Sequence, residues 1–228
     1  MPEPSKPNIP AGVAKQTKAP GVYESFVSML DNFQEPKGPE TKVQKRQVPL
    51  ADIMYEEAMQ ALIKNSGGTR QQWEQIFDKV AYAEAGPDRI PTQKQVLDGG
   101  GEGPGRGLYQ YEVARSADGV KGSNAGFTAL NRARNFYTHR GKTPPAFIEQ
   151  AQKDGIVEFD KLSPKMQTAL FMLDKLKGKG PTKQMLEGDE GLAKFLADWH
   201  YMNESPAKRA DYQARFLEKM KTYTPPAK

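Results

Sequence analysis

Glu84 is the residue whose place in the sequence most directly suggests chemistry. Trp73, Ile76, Phe77, Val80 and Ala81 fall at i, i+3, i+4, i+7 and i+8, one face of an amphipathic helix. The next position on that face, i+11, is Glu84, where an apolar residue would continue the stripe. A carboxyl there is partly desolvated, and desolvation disfavours its charged form and raises its pKa. A carboxylic acid still protonated near neutral pH can give its proton to a leaving oxygen. Glycoside cleavage requires such a donor, with partner groups across a cleft. A Glu that points to solvent from a helix C-terminus has the same periodicity, so spacing alone leaves both readings open.

The stretch after Glu84 bears on the choice. Gly86-Pro87 stops the helix, and a loop follows with Gly99, Gly100, Gly101, Gly103, Gly105 and Gly107. Glycines in that density allow φ > 0 and a close approach of backbone to a ligand. The pattern is not GxGxxG, it lacks the Gly-Lys-Ser/Thr ending of a phosphate loop, and no apolar strand precedes it, so a nucleotide site is disfavoured. Leu108 to Val113 alternates weakly and predicts a short strand, with Leu108, Gln110 and Glu112 on one side and Tyr109, Tyr111 and Val113 on the other. Glu112, Glu102 and Asp98 are candidates for a second carboxyl, which a retaining glycosidase needs at about 5 Å from the first.

A helix ending in Glu, a loop of some twenty residues and then Gly-Leu-aromatic-Gln resembles the lysozyme-like lytic transglycosylases, which cut the glycan strands of peptidoglycan. The residues that carry the resemblance are Glu84 and Gly107-Leu108-Tyr109-Gln110, and it spans roughly residues 70 to 175. The phrase Gly105-Arg106-Gly107-Leu108-Tyr109-Gln110-Tyr111-Glu112 is most similar to virion-associated members carried by phages. The resemblance implies a lysozyme-like α+β domain, Glu84 as acid/base, Gly107 to Gln110 lining the sugar cleft, and no cofactor. It also implies cleavage of the MurNAc-GlcNAc bond without a second carboxylate, because the substrate's acetamido group assists and an anhydro-sugar forms. Tyr137 is the candidate for the aromatic that often lies near the acid in the family. The family usually has Ser after the Glu; here the residue is Ala85.

Other elements must hold these residues in place. Leu50 to Asn65 predicts a helix with Met54, Ala58, Ala61 and Leu62 inward, and Thr69 is placed to cap the next. Asn124 to Tyr137 predicts a helix with Phe127, Leu130, Ala133 and Phe136/Tyr137 inward and Asn131 and Asn135 as polar neighbours. Thr143-Pro144-Pro145 starts a short helix, and Ser163-Pro164 another, with Met166, Leu170, Leu173 and Leu176 inward. The Leu162–Leu170 phrase is similar to the late core helix of lysozyme-like domains. Gly191 to Met202 and the segment from Pro206 predict two more helices, the last with Ala210, Ala214, Leu217 and Met220 on one face. The organisation expected is mainly α, in three parts: a proline-rich extended arm (residues 1–50), a lysozyme-like catalytic domain (51–177) and a helical C-terminal extension packing on it (178–228).

Composition narrows the partners. The 228 residues are 37% hydrophobic with a mean hydropathy of −0.75, enough for one cored domain with extensions. The arm holds eight of the eighteen prolines and one island of helical spacing, Val22 to Phe33, and reads as a tether. The net charge of +5 and pI near 9.2 suit a polyanion. From Leu176 onward, however, ten Lys/Arg stand among seven Asp/Glu, a solvated surface rather than a basic block, so nucleic acid is not expected as a specific ligand. No apolar run has membrane-spanning length, and Met1 to Pro10 has no signal-peptide core. A wall-cutting enzyme made without an export signal would need phage delivery, by lysis with a pore-forming partner or by ejection from the particle; the resemblance implies a virion component meeting peptidoglycan in the host periplasm, with other virion or tail proteins as partners. There is no cysteine. His139 and His200 lack metal-site spacing, so no metal is expected.

Overall fold

The computed structural model describes residues 49–154, 159–176, 181–201 and 204–226. The arm, including the helix expected at Val22–Phe33, lies outside the described residues apart from Pro49 and Leu50. The described part is mainly helical with one small antiparallel sheet. Its helices are α1 (Leu50–Ser66), α2 (Arg70–Ala85), α3 (Ala125–Thr138), α4 (Ala146–Asp154), α5 (Pro164–Lys175), the single turn α6 (Pro181–Gln184), α7 (Gly188–His200) and α8 (Pro206–Met220). Between α2 and α3 lie β1 (Lys94–Val96), β2 (Glu102–Arg106) and β3 (Tyr111–Glu112), in the order β1-β2-β3.

Helix α2, which ends beside Glu84, is fixed at both ends. The Thr69 side chain accepts from the Gln72 N–H, and the Gln72 side chain accepts from the Thr69 N–H, a reciprocal capping box. At the other end Gly86 takes φ 83°, and its N–H bonds the Tyr82 carbonyl. Trp73, Ile76, Phe77, Val80 and Ala81 are all buried, and Trp73 also donates from Nε1 to the Gly67 carbonyl at 2.9 Å.

Helix α5 is the axle of the domain. It packs on both α1 and α3, and its buried residues run around the whole circumference from Ala169 to Lys175. An amphipathic stripe would bury one face only. Leu176, expected inward, is instead partly exposed at the helix end. Helices α7 and α8 pair with each other, and α8 reaches α2. On α8 the inward residue is Phe216, while Ala210 and Ala214, expected on the packed face, are exposed. Two alanines bury too little area to orient a helix against one Phe.

The glycine-rich stretch is not one long loop. Lys94 pairs with Arg106 and Val96 with Glu102, and β2 pairs onward with β3, Gly105 opposite Glu112 and Arg106 opposite Tyr111. The expected strand over Leu108–Val113 shrinks to Tyr111–Glu112, because residues 107–110 form a turn, with Gly107 at φ 69° and Gln110 at φ 46°. The glycines are used within the chain. A Cβ on Gly103 would stand 2.4 Å from Gln95 Oε1, and one on Gly107 would stand 2.3 Å from Gln167 Oε1. Gly103, Gly105 and Gly107 admit glutamine side chains, while Gly99 and Gly100 have open space beside them. Among the described residues no helix is long and apolar enough to cross a membrane.

Candidate active site

Glu84 lies in the last turn of α2, and the C-terminal helices close over it. The Tyr212 hydroxyl of α8 donates to Glu84 Oε1. His200 Nε2, at the end of α7, stands 3.0 Å from the same oxygen, and the tautomer carrying its proton on Nε2 donates to it. Lys219 of α8 bonds the neighbouring Ala83 carbonyl through Nζ at 2.5 Å. The Glu84 side chain keeps 13% of its surface exposed, so it is neither in open solvent nor sealed. Both hydrogen bonds fall on Oε1.

The electrostatics differ from what the stripe position alone implies. Burial by itself would raise the Glu84 pKa, but His200, Tyr212 and the positive charge of Lys219 together outweigh it and hold the carboxyl below its ordinary value. Glu84 is therefore ionised at neutral pH and not poised as an acid there. Tyr212 moves the other way: burial and then the Glu84 charge raise its pKa, so it stays a neutral donor. The arrangement is a partly enclosed carboxylate with two donors on one oxygen. It can accept a proton as a base, and it can deliver one as an acid once the pH falls.

One layer deeper lies a buried charge cluster. Asp174 of α5 accepts from Tyr111 at 2.8 Å and is paired with Arg132 and Lys175. Lys175 Nζ sits 2.9 Å from the centroid of the Trp199 ring, a cation–π contact. Burial pushes the Lys175 ammonium down to about 7, against the pull of Asp174. Burial alone would raise Asp174, but Lys175 and Arg132 hold it low. Glu84 is among the charges that pull the Lys175 pKa back up.

The Gly107–Gln110 turn is anchored on α5. Gln167, with no exposed surface, accepts from the Leu108 N–H at 2.8 Å and donates to the carbonyls of Pro91 and Leu162, each at 2.9 Å. Both amide protons and the carbonyl are thus occupied. Tyr109 stacks on Phe171 at 4.2 Å and bonds Thr168 through its hydroxyl at 2.9 Å, while Gln110 folds back to donate to the Gly107 carbonyl. Beside this turn is a cavity of about 260 Å³ lined by Tyr55, Asp78, Ala81, Arg89, Leu108 and Tyr109, among others. Ala81 stands one helical turn before Glu84. A second hollow of about 120 Å³ lies between α2 and α7, by Lys79 and Asp189. Neither is lined by Glu84.

The remaining candidates are placed elsewhere. Tyr137 is buried in α3, and its hydroxyl lies toward Glu57 of α1 without a well-aligned hydrogen bond; burial, then Glu57, raises its pKa. The aromatic hydroxyl on Glu84 is Tyr212. Glu102 pairs with Lys94 and Arg106 inside the hairpin. Glu112 accepts from the Ser123 N–H at 2.7 Å, and Asp98 is exposed in the hairpin turn. Asn131 meets Gln152 of α4, and Asn135 and His139 are exposed. Among the described residues no group of three or more His, Asp or Glu could hold a metal ion.

His200 and Tyr212 are the site residues that the sequence reading did not select. They lie 116 and 128 positions from Glu84. No short-range spacing joins them, and the only hint was a lone His closing a strongly apolar helix. Comparison with known proteins finds no match for the chain, whether among family models, curated proteins or solved structures.

Proposed function

We propose that this protein is a peptidoglycan lytic transglycosylase of the lysozyme-like kind, with Glu84 as general acid and then general base. The observation that carries the reading is the Glu84 carboxyl itself. It stands at the end of an otherwise apolar helix face, 13% exposed, with a phenol and an imidazole oriented onto Oε1. A surface glutamate has no need of that shell, and a carboxyl meant to exchange protons at a fixed point does. In this reading the glycan runs beside the Leu108–Tyr109 turn, where the cavity between Tyr55, Asp78 and Arg89 is large enough for part of a sugar ring.

The substrate class is the MurNAc-GlcNAc strand, and the delivery route is the phage virion, whose other proteins are the partners. The experiment is mass spectrometry of the soluble products released from purified sacculi. Anhydro-muramyl ends, one water lighter than hydrolysed ends, are the expected products. Hydrolysed ends would reassign the protein to the muramidases, and no release would remove the enzymatic reading.

A non-catalytic virion component with a lysozyme-like domain is the second reading. It is favoured by the depressed Glu84 pKa, since a carboxylate tied to Tyr212 and His200 also serves as a clasp between α2, α7 and α8. It predicts an intact fold and no wall digestion at any pH.

A further inference from the structure

The imidazole of His200 is the second titratable group in contact with Glu84, and the acid/base reading gives it no step of its own. Its ring is set among aromatic neighbours: Trp199 at 4.5 Å, Tyr212 at 5.1 Å and Tyr201 at 6.3 Å between centroids. Trp199 in turn packs on Phe171 and Tyr111, at 5.5 and 5.9 Å. The ring is therefore wedged, with 26% of the side chain exposed and Nε2 aimed at Oε1 from 3.0 Å. A surface histidine held only by solvent would have no fixed direction. We propose that His200 is a positioning residue for Glu84, holding Oε1 in place and deciding by its own charge when the carboxyl carries a proton. The proposal rests on the glycan-cutting reading for its consequence in catalysis, but the pairing itself does not.

The groups facing Glu84 are His200 from α7, Tyr212 and Lys219 from α8 and, further away, Lys175 from α5. Burial and the Glu84 charge keep Tyr212 a neutral donor. His200 is the direct partner that carries a positive charge only when protonated, while Lys175, pushed down to about 7, acts on Glu84 from further away. With imidazolium beside it, Glu84 holds its negative charge more tightly and yields its proton more readily. With neutral imidazole that hold is weaker. At the acid step the proton passes from the Glu84 carboxyl to the leaving oxygen as the C–O bond breaks. The resulting carboxylate is then stabilised by the His200 and Tyr212 donors on Oε1. The substrate's acetamido oxygen bonds the sugar carbon in that first step; in the second half Glu84 takes the proton from the attacking sugar hydroxyl as the new C–O bond forms and the acetamido bond breaks, so no proton is gained or lost over the cycle.

Two measurements on the full chain separate this proposal from the reading it rests on. The first is the pH profile of muropeptide release from purified sacculi by the wild type and by His200→Gln, which keeps a donor and removes the charge. The expected result is a limb displaced to higher pH in H200Q. A merely structural His200 would lower the rate at every pH and leave the limb where it was. The second is the ¹³C titration of the Glu84 carboxyl, assigned by its absence in E84Q, in the wild type and in H200Q. The carboxyl should titrate at higher pH in H200Q, and coincident curves overturn the proposal whatever the activity. If the wild type cuts no sacculi while the two curves differ, the glycan reading fails and the His200 pairing stands. If H200Q does not fold, His200→Asn takes its place in both measurements.

Discussion

Glu84 carries a conflict between two pressures, and its environment decides the outcome. Burial favours the neutral acid, and the His200, Tyr212 and Lys219 shell favours the carboxylate and prevails. With the pKa held below its ordinary value, the protonated fraction is small at neutral pH and grows about tenfold for each unit of acidification until the group titrates. Muropeptide release by the wild type should therefore rise as the pH falls from 7 toward 5; a rate that falls over that interval would contradict Glu84 as the acid. The same group acts on stability with the opposite consequence. Its folded pKa lies below the unfolded one, so its contribution is present above the ordinary carboxylate range and is lost as the pH falls through the folded value. Lys175 has the reverse sign. Between about 7 and the ordinary lysine value of 10.5 the unfolded chain holds a proton that the folded chain lacks. Its penalty is full below 7 and is relieved as the pH rises through that window. Lys175→Met should flatten the rise in unfolding free energy between pH 7 and 10 measured by urea denaturation. An unchanged slope would show that Lys175 stays charged in the fold.

At the scale of elements, the turn that shapes the candidate cleft depends on a neighbour outside it. Gln167 binds the Gly107–Gln110 turn, the loop at Pro91 and the start of α5 with three hydrogen bonds. Gln167→Ala orphans a buried N–H and two carbonyls, and should cost about 1–3 kcal/mol for each group left without water. Urea denaturation of Q167A measures the total, and a change below about 0.5 kcal/mol would show that water replaces the amide. The capping box gives a second check: Thr69→Ala should cost about 0.5–2 kcal/mol, because the first-turn donors of α2 lose their acceptor. The two cases show what the sequence made readable. The Thr69 cap and the Trp73–Ala81 stripe are local patterns within one helix, and the structure has both as expected. Gln167 was unremarkable within a phrase read as structural, since two of its three partners lie 59 and 76 residues away. The hairpin was missed for a related reason: β2 reads Glu-Gly-Pro-Gly-Arg, a composition that predicts a loop, and only pairing with β1 and β3 makes it a strand.

The whole molecule places its candidate chemistry where the predicted parts meet. The sequence divides the chain at 177/178, with a helical C-terminal extension packing on the domain. From that extension α7 and α8 supply His200 and Tyr212, both hydrogen-bond partners of Glu84. The residues after α8 continue the contact: Tyr223 donates to Asp78 at 2.7 Å, and Arg89 donates to the Thr224 carbonyl at 2.7 Å. A chain ending at Tyr201 should therefore lose wall digestion even where α1 to α5 stay folded, as read by circular dichroism; retained digestion would show the extension to be dispensable. The core beneath is shared, with Trp73, Phe77, Phe171 and Trp199 forming ring contacts from α2 through α5 to α7. The most direct test of the central claim removes one proton donor from this frame. Wild type and Glu84→Gln, matched for folding, are incubated with purified sacculi at pH 5 and the soluble muropeptides are counted. The account predicts release by the wild type and a rate lower by roughly two to four orders of magnitude in E84Q. Equal release by the two proteins would contradict it.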